Sequence, residues 1–261
     1  MNLSVRYERL VNNLERLQLT RIEDILDNYL ERINKENISV VEALDYLMEE
    51  ERQFKEERSL NTRINVAGFP FKKTIDDFDF SFQPSIDLKV INELRSMRFI
   101  HNRENVILLG SPGVGKTHLA IGLGIDIIKN NFSVYFTNCH DLITKLNRAH
   151  FENNLETQLK TLCKYRVLVI DEVGYLPFDK QGANLFFQLV SRKYEKSSII
   201  ITSNRGFREW GEVFTDNVIA SAILDRLLHH ATVINIKGNS YRLKDRHNST
   251  LLKTQQGGDN F

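Results

Sequence analysis

The chain has 261 residues, 41% of them hydrophobic and 26% charged, which excludes wholesale disorder; 4 prolines and 13 glycines exclude collagen-like or low-complexity architecture. No stretch approaches about 18 uncharged apolar residues, Arg6, Glu8 and Arg9 interrupt what would be a signal peptide's apolar core, and two cysteines are too few for a disulfide framework or a zinc site, so a cytoplasmic chain without a membrane partner is expected. The net charge of +1 hides an asymmetry: residues 1–60 hold 9 Lys+Arg against 14 Asp+Glu, a balance of −5, and the remainder carries +6.

In chain order, residues 1–61 predict a small helical module that contacts DNA or a partner. Leu3, Leu10, Leu14 and Leu17 recur near the helical period. Thr20 with Glu23, and Ser39 with Glu42, have capping-box spacing ahead of apolar stripes. Between 61 and 90, Gly68, Pro70 and Pro84 break the periodicity while Phe69, Phe71, Phe78, Phe80 and Phe82 cluster. So many aromatics seek burial, so this segment is expected to lie across the following domain. Ile86, Val90, Leu94 and Met97 then resume a helical pattern. From 105 onward, apolar runs at 105–109, 133–137, 166–170, 198–202 and 232–236 alternate with helical stretches, which predicts an α/β domain with a parallel sheet.

Gly110, Ser111, Pro112, Gly113, Val114, Gly115, Lys116, Thr117 and His118 follow the first strand and open an amphipathic helix. That is the setting of a phosphate-binding loop. Its glycines let the backbone curl until several N–H groups face phosphate oxygens, and the helix start adds the positive end of its dipole. Lys116 is expected to reach the β- and γ-phosphates of ATP, and the Thr117 hydroxyl to ligate Mg²⁺. The run Val167–Ile170 leads into Asp171 and Glu172. A carboxylate ending a strand beside the loop strand can hold Mg²⁺, and a neighbouring Glu can take a proton from the attacking water. Two acids there point to hydrolysis.

Asn204 ends a strand expected beside both motif strands, where its amide could hydrogen-bond that water; a capping Asn in a turn is the plain alternative. Arg226 is open to two readings, a solvated helix charge or an arginine finger directed at ATP on the next subunit. His229 and His230 read as a helix end, because no third metal ligand is in spacing.

The loop, DEVGYLPFD (171–179), LVSRKYE and IIITSN (189–204), REWGEVF (208–214), AILDRLLHH (222–230) and GNSYRLKDR (238–246) together resemble IstB-type ATPases, the helper proteins of insertion-sequence transposition within the AAA+ superfamily, related to DnaC-type helicase loaders. The resemblance extends upstream through TIDDFDFSFQPSID (74–87) and covers nearly the whole chain. It implies a five-stranded P-loop AAA+ domain at 62–247, preceded by the helical module at 1–61; residues 248–261 read as a flexible tail, and too few residues follow the fifth strand for the full helical lid of many AAA+ proteins. It also implies catalytic roles for Lys116, Glu172, the sensor Asn204 and a trans-acting Arg226, with Thr117 and Asp171 at Mg²⁺ and the aromatic segment around adenine. Lys193 stands where a second Arg is expected after Arg192, and keeps the charge without the bidentate fork.

The function so implied is ATP-dependent homo-oligomerisation on double-stranded DNA in support of the transposase of the same mobile element. A replicative helicase loader, or a nucleotide-gated DNA-binding module with little turnover, are the alternatives. Residues 141–166 resemble the insertion by which replication initiators of this superfamily grip DNA. Lys145 and Arg148 there lie off the apolar stripe of Leu142, Leu146 and Ala149, and either contact DNA or form a solvated face. The basic stretch 237–253 is a second candidate contact.

Overall fold

The structure is a computed structural model that describes residues 3–243. The chain divides into two compact units, residues 1–63 and 64–261. The tail expected at 248–261, and most of the basic residues of 237–253, lie outside the described residues.

The first unit contains helices α1 (Leu3–Arg16), α2 (Thr20–Glu36) and α3 (Val40–Val66), the last of which ends just inside the second unit. Its core is small: Leu14, Ile22, Leu26, Tyr29, Ala43 and Leu47, with Tyr29 stacked on Tyr46. Leu10 and Leu17 share the predicted period with Leu14 yet remain exposed. The Ser39–Glu42 capping box forms, with reciprocal bonds of 3.0 and 3.3 Å. The one at Thr20 does not, because Leu19 is the N-cap and offers no side-chain acceptor. Instead the buried Glu51 carboxylate of α3 accepts from the Arg21 and Ile22 amides at 2.9 and 3.1 Å. A tertiary contact satisfies donors that the local sequence leaves open.

The second unit carries α4 (Leu88–Arg95), α5 (Arg98–His101), β1 (Asn105–Gly110), α6 (Lys116–Lys129), β2 (Val134–Asn138), α7 (Cys139–Phe151), α8 (Leu155–Lys164), β3 (Val167–Val173), α9 (Lys180–Lys193), β4 (Ser198–Ser203), α10 (Trp210–Val213), α11 (Asn217–Leu228) and β5 (Ala231–Ile236). All five strands are parallel, in the order β2-β3-β4-β1-β5. β4 lies beside both motif strands, as expected. β3 is not beside the loop strand, since β4 separates β3 from β1, and this corrects the expectation for the acidic strand. Near-continuous Val, Ile and Leu fill β1, β3 and β4, which are buried on both faces, whereas β2 and the edge strand β5 are partly exposed. The larger core packs α7, α9 and α11 against the sheet around Phe186, Leu189, Trp210 and Phe214. α6 covers β1, β3 and β4.

The aromatic segment 67–86 is ordered by burial of Ala67, Ile75, Phe78 and Ile86. It lies against α6 closely enough that a Cβ on Gly122 would stand 2.8 Å from the Ile75 amide nitrogen. Among the described residues only a short 3-10 turn, Tyr241–Leu243, follows β5, so no lid domain is present there. No described helix is long and apolar enough to cross a membrane.

Candidate functional site

Parallel strands all end at the same edge of the sheet, so the residues after β1, β2, β3 and β4 share one neighbourhood. A cavity of about 480 Å³ opens there, lined by the 112–118 loop, Phe71, Phe78, Glu172, Asn204 and Arg242 among others. That size accommodates a nucleotide.

The loop is shaped for close backbone approach. Gly115, the N-cap of α6, sits at φ 98° and ψ 12°, and a Cβ there would lie 2.5 Å from the Phe78 ring. A Cβ on Gly113 would lie 2.1 Å from the Ser240 hydroxyl, so residues after β5 also close over the loop. Tyr241 N–H donates to the Gly113 carbonyl at 2.9 Å, which carries Arg242 to the cavity rim. The Lys116 amine donates to the Gly110 and Ser111 carbonyls at 2.7 and 2.8 Å. Burial lowers its pKa, the Asp171 carboxylate opposes that shift, and Arg242 adds to it. A partly desolvated ammonium held only by carbonyls favours an incoming phosphate.

Asp171 and Glu172 are adjacent, yet the fold gives them opposite environments. A bulge in the β3–β4 register follows Ile170, and Glu172 takes φ 61°. Asp171 is buried and accepts from Thr202 Oγ1 at 2.6 Å and from Thr117 Oγ1 at 2.9 Å. Desolvation raises its pKa, and the two hydroxyl hydrogen bonds pull the other way. Glu172 is exposed to the cavity, its N–H tied to Thr202 Oγ1 at 2.9 Å and its carboxylate accepting from Asn138 Nδ2 at 2.8 Å. Thr117 and Asp171 together present hard oxygen donors beside the phosphate cradle, a set that fits Mg²⁺. Asn204 Oδ1 is buried without a hydrogen-bond partner, an acceptor left open at the same cavity.

His118 Nε2 lies 2.8 Å from the Thr74 carbonyl and its ring packs edge-on against Phe78, so it helps fix the aromatic wall. Within one chain Arg226 does not line the cavity. It bonds the Ala222 carbonyl at 2.9 Å and lies 4.6 Å from the Phe187 ring centre. Lys193 is fully buried with its amine on the Tyr165 carbonyl at 3.0 Å. Lys145 and Arg148 are exposed on α7, the first 5.3 Å from the Tyr135 ring centre and the second paired with Glu152 at 2.8 Å. The sequence reading does not single out Asn138, Thr202 or Arg242. Asn138 closes β2 as a polar residue after an apolar run, in register with Asp171 of β3, and that position is the signal that could have found it.

The family model described as IstB-like ATP binding protein matches residues 12–249. The chain is 47% identical over 239 residues to a protein of insertion sequence IS21 from Pseudomonas aeruginosa, covering 92% of this chain and 90% of the relative. It is 46% identical over 239 residues to one of IS232 from Bacillus thuringiensis, covering 92% and 96%. Among solved structures, DnaI superposes with a TM-score of 0.53 at 22% identity, over 64% of this chain and 92% of that one. AMPPCP-bound DnaA from Aquifex aeolicus gives 0.55 at 20%, over 68% of this chain and 54% of that one. The five-stranded parallel domain is therefore an AAA+ fold. A family model matched over residues 12–249 and relatives nearly half identical across 92% of the chain show that this chain belongs to the IstB-like ATP binding protein family.

Proposed function

We propose that this protein is a Mg²⁺-dependent ATPase that assembles with itself on double-stranded DNA and assists the transposase of the same mobile element. The observation that carries the reading is the convergence of Lys116, Thr117, Glu172 and Asn204 on one cavity, with Asp171 buried directly behind Thr117 at 2.9 Å, in a chain nearly half identical to insertion-sequence proteins over almost their full length.

Residues 110–118 hold the triphosphate, with Lys116 moving its ammonium from loop carbonyls to phosphate oxygens. Thr117 and Asp171 hold Mg²⁺, which when bound neutralises charge on the phosphate oxygens. Glu172 takes the proton of the attacking water, its carboxylate oriented by Asn138, and Asn204 hydrogen-bonds that water. Phe71 and Phe78 offer the adenine an apolar wall. Arg226, outside its own chain's cavity, completes the site of a neighbouring subunit, and Lys145 and Arg148 contact DNA phosphates. The insertion-sequence relatives favour a transposase partner over a replicative helicase.

Glu172→Gln tests the reading. The variant is expected to bind ATP normally and to lose turnover by about 10²–10⁴-fold, the usual worth of a positioned general base. Near wild-type turnover would remove Glu172 from the role.

A further inference from the structure

Spacing in the sequence leaves His229 and His230 without a third ligand; the fold supplies one. α9 ends at Lys193, and the chain turns through Glu195, at φ 56°, before entering β4. That turn meets the end of α11. Glu195, His229 and His230 are all exposed, and each offers a carboxylate oxygen or imidazole nitrogen within 4.8 Å of the other two. His229 Nδ1 lies 4.0 Å from Glu195 Oε1 and 2.8 Å from the Tyr194 hydroxyl, and the two imidazole centres are 4.0 Å apart. The backbone of each residue is tied down. Arg103 donates to the Glu195 carbonyl at 2.9 Å, the Asn105 amide to the His230 carbonyl at 2.8 Å, and the His229 amide to the Asp225 carbonyl at 3.1 Å.

We infer that Glu195, His229 and His230 form a binding site for a divalent transition-metal ion of the Zn²⁺, Co²⁺ or Ni²⁺ class. Two imidazoles with one carboxylate favour such ions over Mg²⁺ or Ca²⁺, which prefer an all-oxygen shell. Three protein ligands leave a four-coordinate ion one open position. None of the three ligands lines the nucleotide cavity. The ion would join the end of α9 to the end of α11, the helices between which the Arg226 guanidinium lies over Phe187. Any effect of the ion on turnover rests on the proposed role of Arg226; binding of the ion does not.

The test is titration of the full-length, nucleotide-free protein with Co²⁺, read by visible absorption, and with Zn²⁺ by calorimetry. One ion per chain is expected at this site. His229→Ala and His230→Ala should each weaken binding by at least the roughly 10–100-fold that loss of an outer-shell partner costs a metal site. Glu195→Gln should weaken it too, while Asp171→Asn should leave it unchanged. Zinc should raise the Tm of the wild type and not that of the histidine variants. Because all three side chains are exposed, the core of the variants stays intact. The inference is overturned if the wild type takes up no Co²⁺ below millimolar concentration, or if the histidine variants bind it as tightly.

Discussion

At the scale of single residues, burial separates groups that look alike in the sequence. Lys193 follows Arg192 in a helix end rich in charge, yet Lys193 is fully buried while Arg192 pairs with Glu156 at the surface. Burial pushes the Lys193 amine down to about 8 from its ordinary 10.5. Below about pH 8 the charge is present in folded and unfolded chains alike, and holding it inside costs about 3 kcal/mol. Between about 8 and 10.5 the folded chain has released a proton that the unfolded chain still binds, so stability rises with pH there. Lys193→Met should therefore stabilise the protein at pH 7. The net gain should be about 2 kcal/mol, once about 1 kcal/mol is allowed for the orphaned Tyr165 carbonyl. Denaturant unfolding should show that gain shrinking as the pH approaches about 10; a gain independent of pH would mean the amine is not buried in its charged form.

At the scale of elements, β4 acts as the spacer that lets the loop strand and the acidic strand cooperate. Its Thr202 hydroxyl donates to Asp171 and accepts from the Glu172 amide, fixing both acids from the strand between β1 and β3. Thr202→Val keeps the shape and removes both bonds. It should lower stability by about 1–3 kcal/mol, the cost of unsatisfied buried polar groups, and should reduce turnover more than nucleotide affinity. Equal loss of both would place the effect in the loop instead. The α6 start makes a second demand on sequence. Gly115→Ala would strain a positive φ and drive a methyl group into Phe78, so calorimetry should find ATP affinity strongly reduced while circular dichroism stays that of the wild type.

At the scale of the whole molecule, the proposed function requires what one chain does not hold. Arg226 is half-buried, over Phe187 and donating to the Ala222 carbonyl, so moving it to a neighbour's phosphate gives up a cation–π contact of about 0.5–2 kcal/mol and one hydrogen bond. Arg226→Ala should spare ATP binding and abolish both turnover and nucleotide-driven assembly. Mixed with Glu172→Gln it should recover part of the activity, because some interfaces then pair an intact Glu172 with an intact Arg226. Mixtures that co-assemble yet stay inactive would exclude a trans-acting Arg226. For DNA, replacing Lys145 and Arg148 together should weaken binding about uniformly across sequences and flatten its salt dependence. Unaltered affinity would move the contact elsewhere, with the 237–253 stretch as first candidate.

What the sequence by itself determined is whatever depends on neighbours along the chain. The five strands fall within a residue or two of the apolar runs, apart from the longer end of β3; in β1, β3 and β4 the reason is that a strand buried on both faces needs continuous Val, Ile and Leu. The phosphate loop was legible for the same reason: its glycines, lysine and threonine act on one short stretch of backbone. Only the tertiary structure decided the rest. Strand order placed β4 between β1 and β3, since pairing across a sheet is set by crossovers and not by chain order. The bulge after Ile170 turned Asp171 inward and Glu172 outward, a choice that alternation alone leaves open. Glu51 replaced the cap expected of Thr20, Asn138 reached Glu172, and Glu195 came to His229 and His230, each across a gap of about 30 residues. A side chain's partner at that separation is fixed by where packing brings two elements together, and no local pattern encodes it.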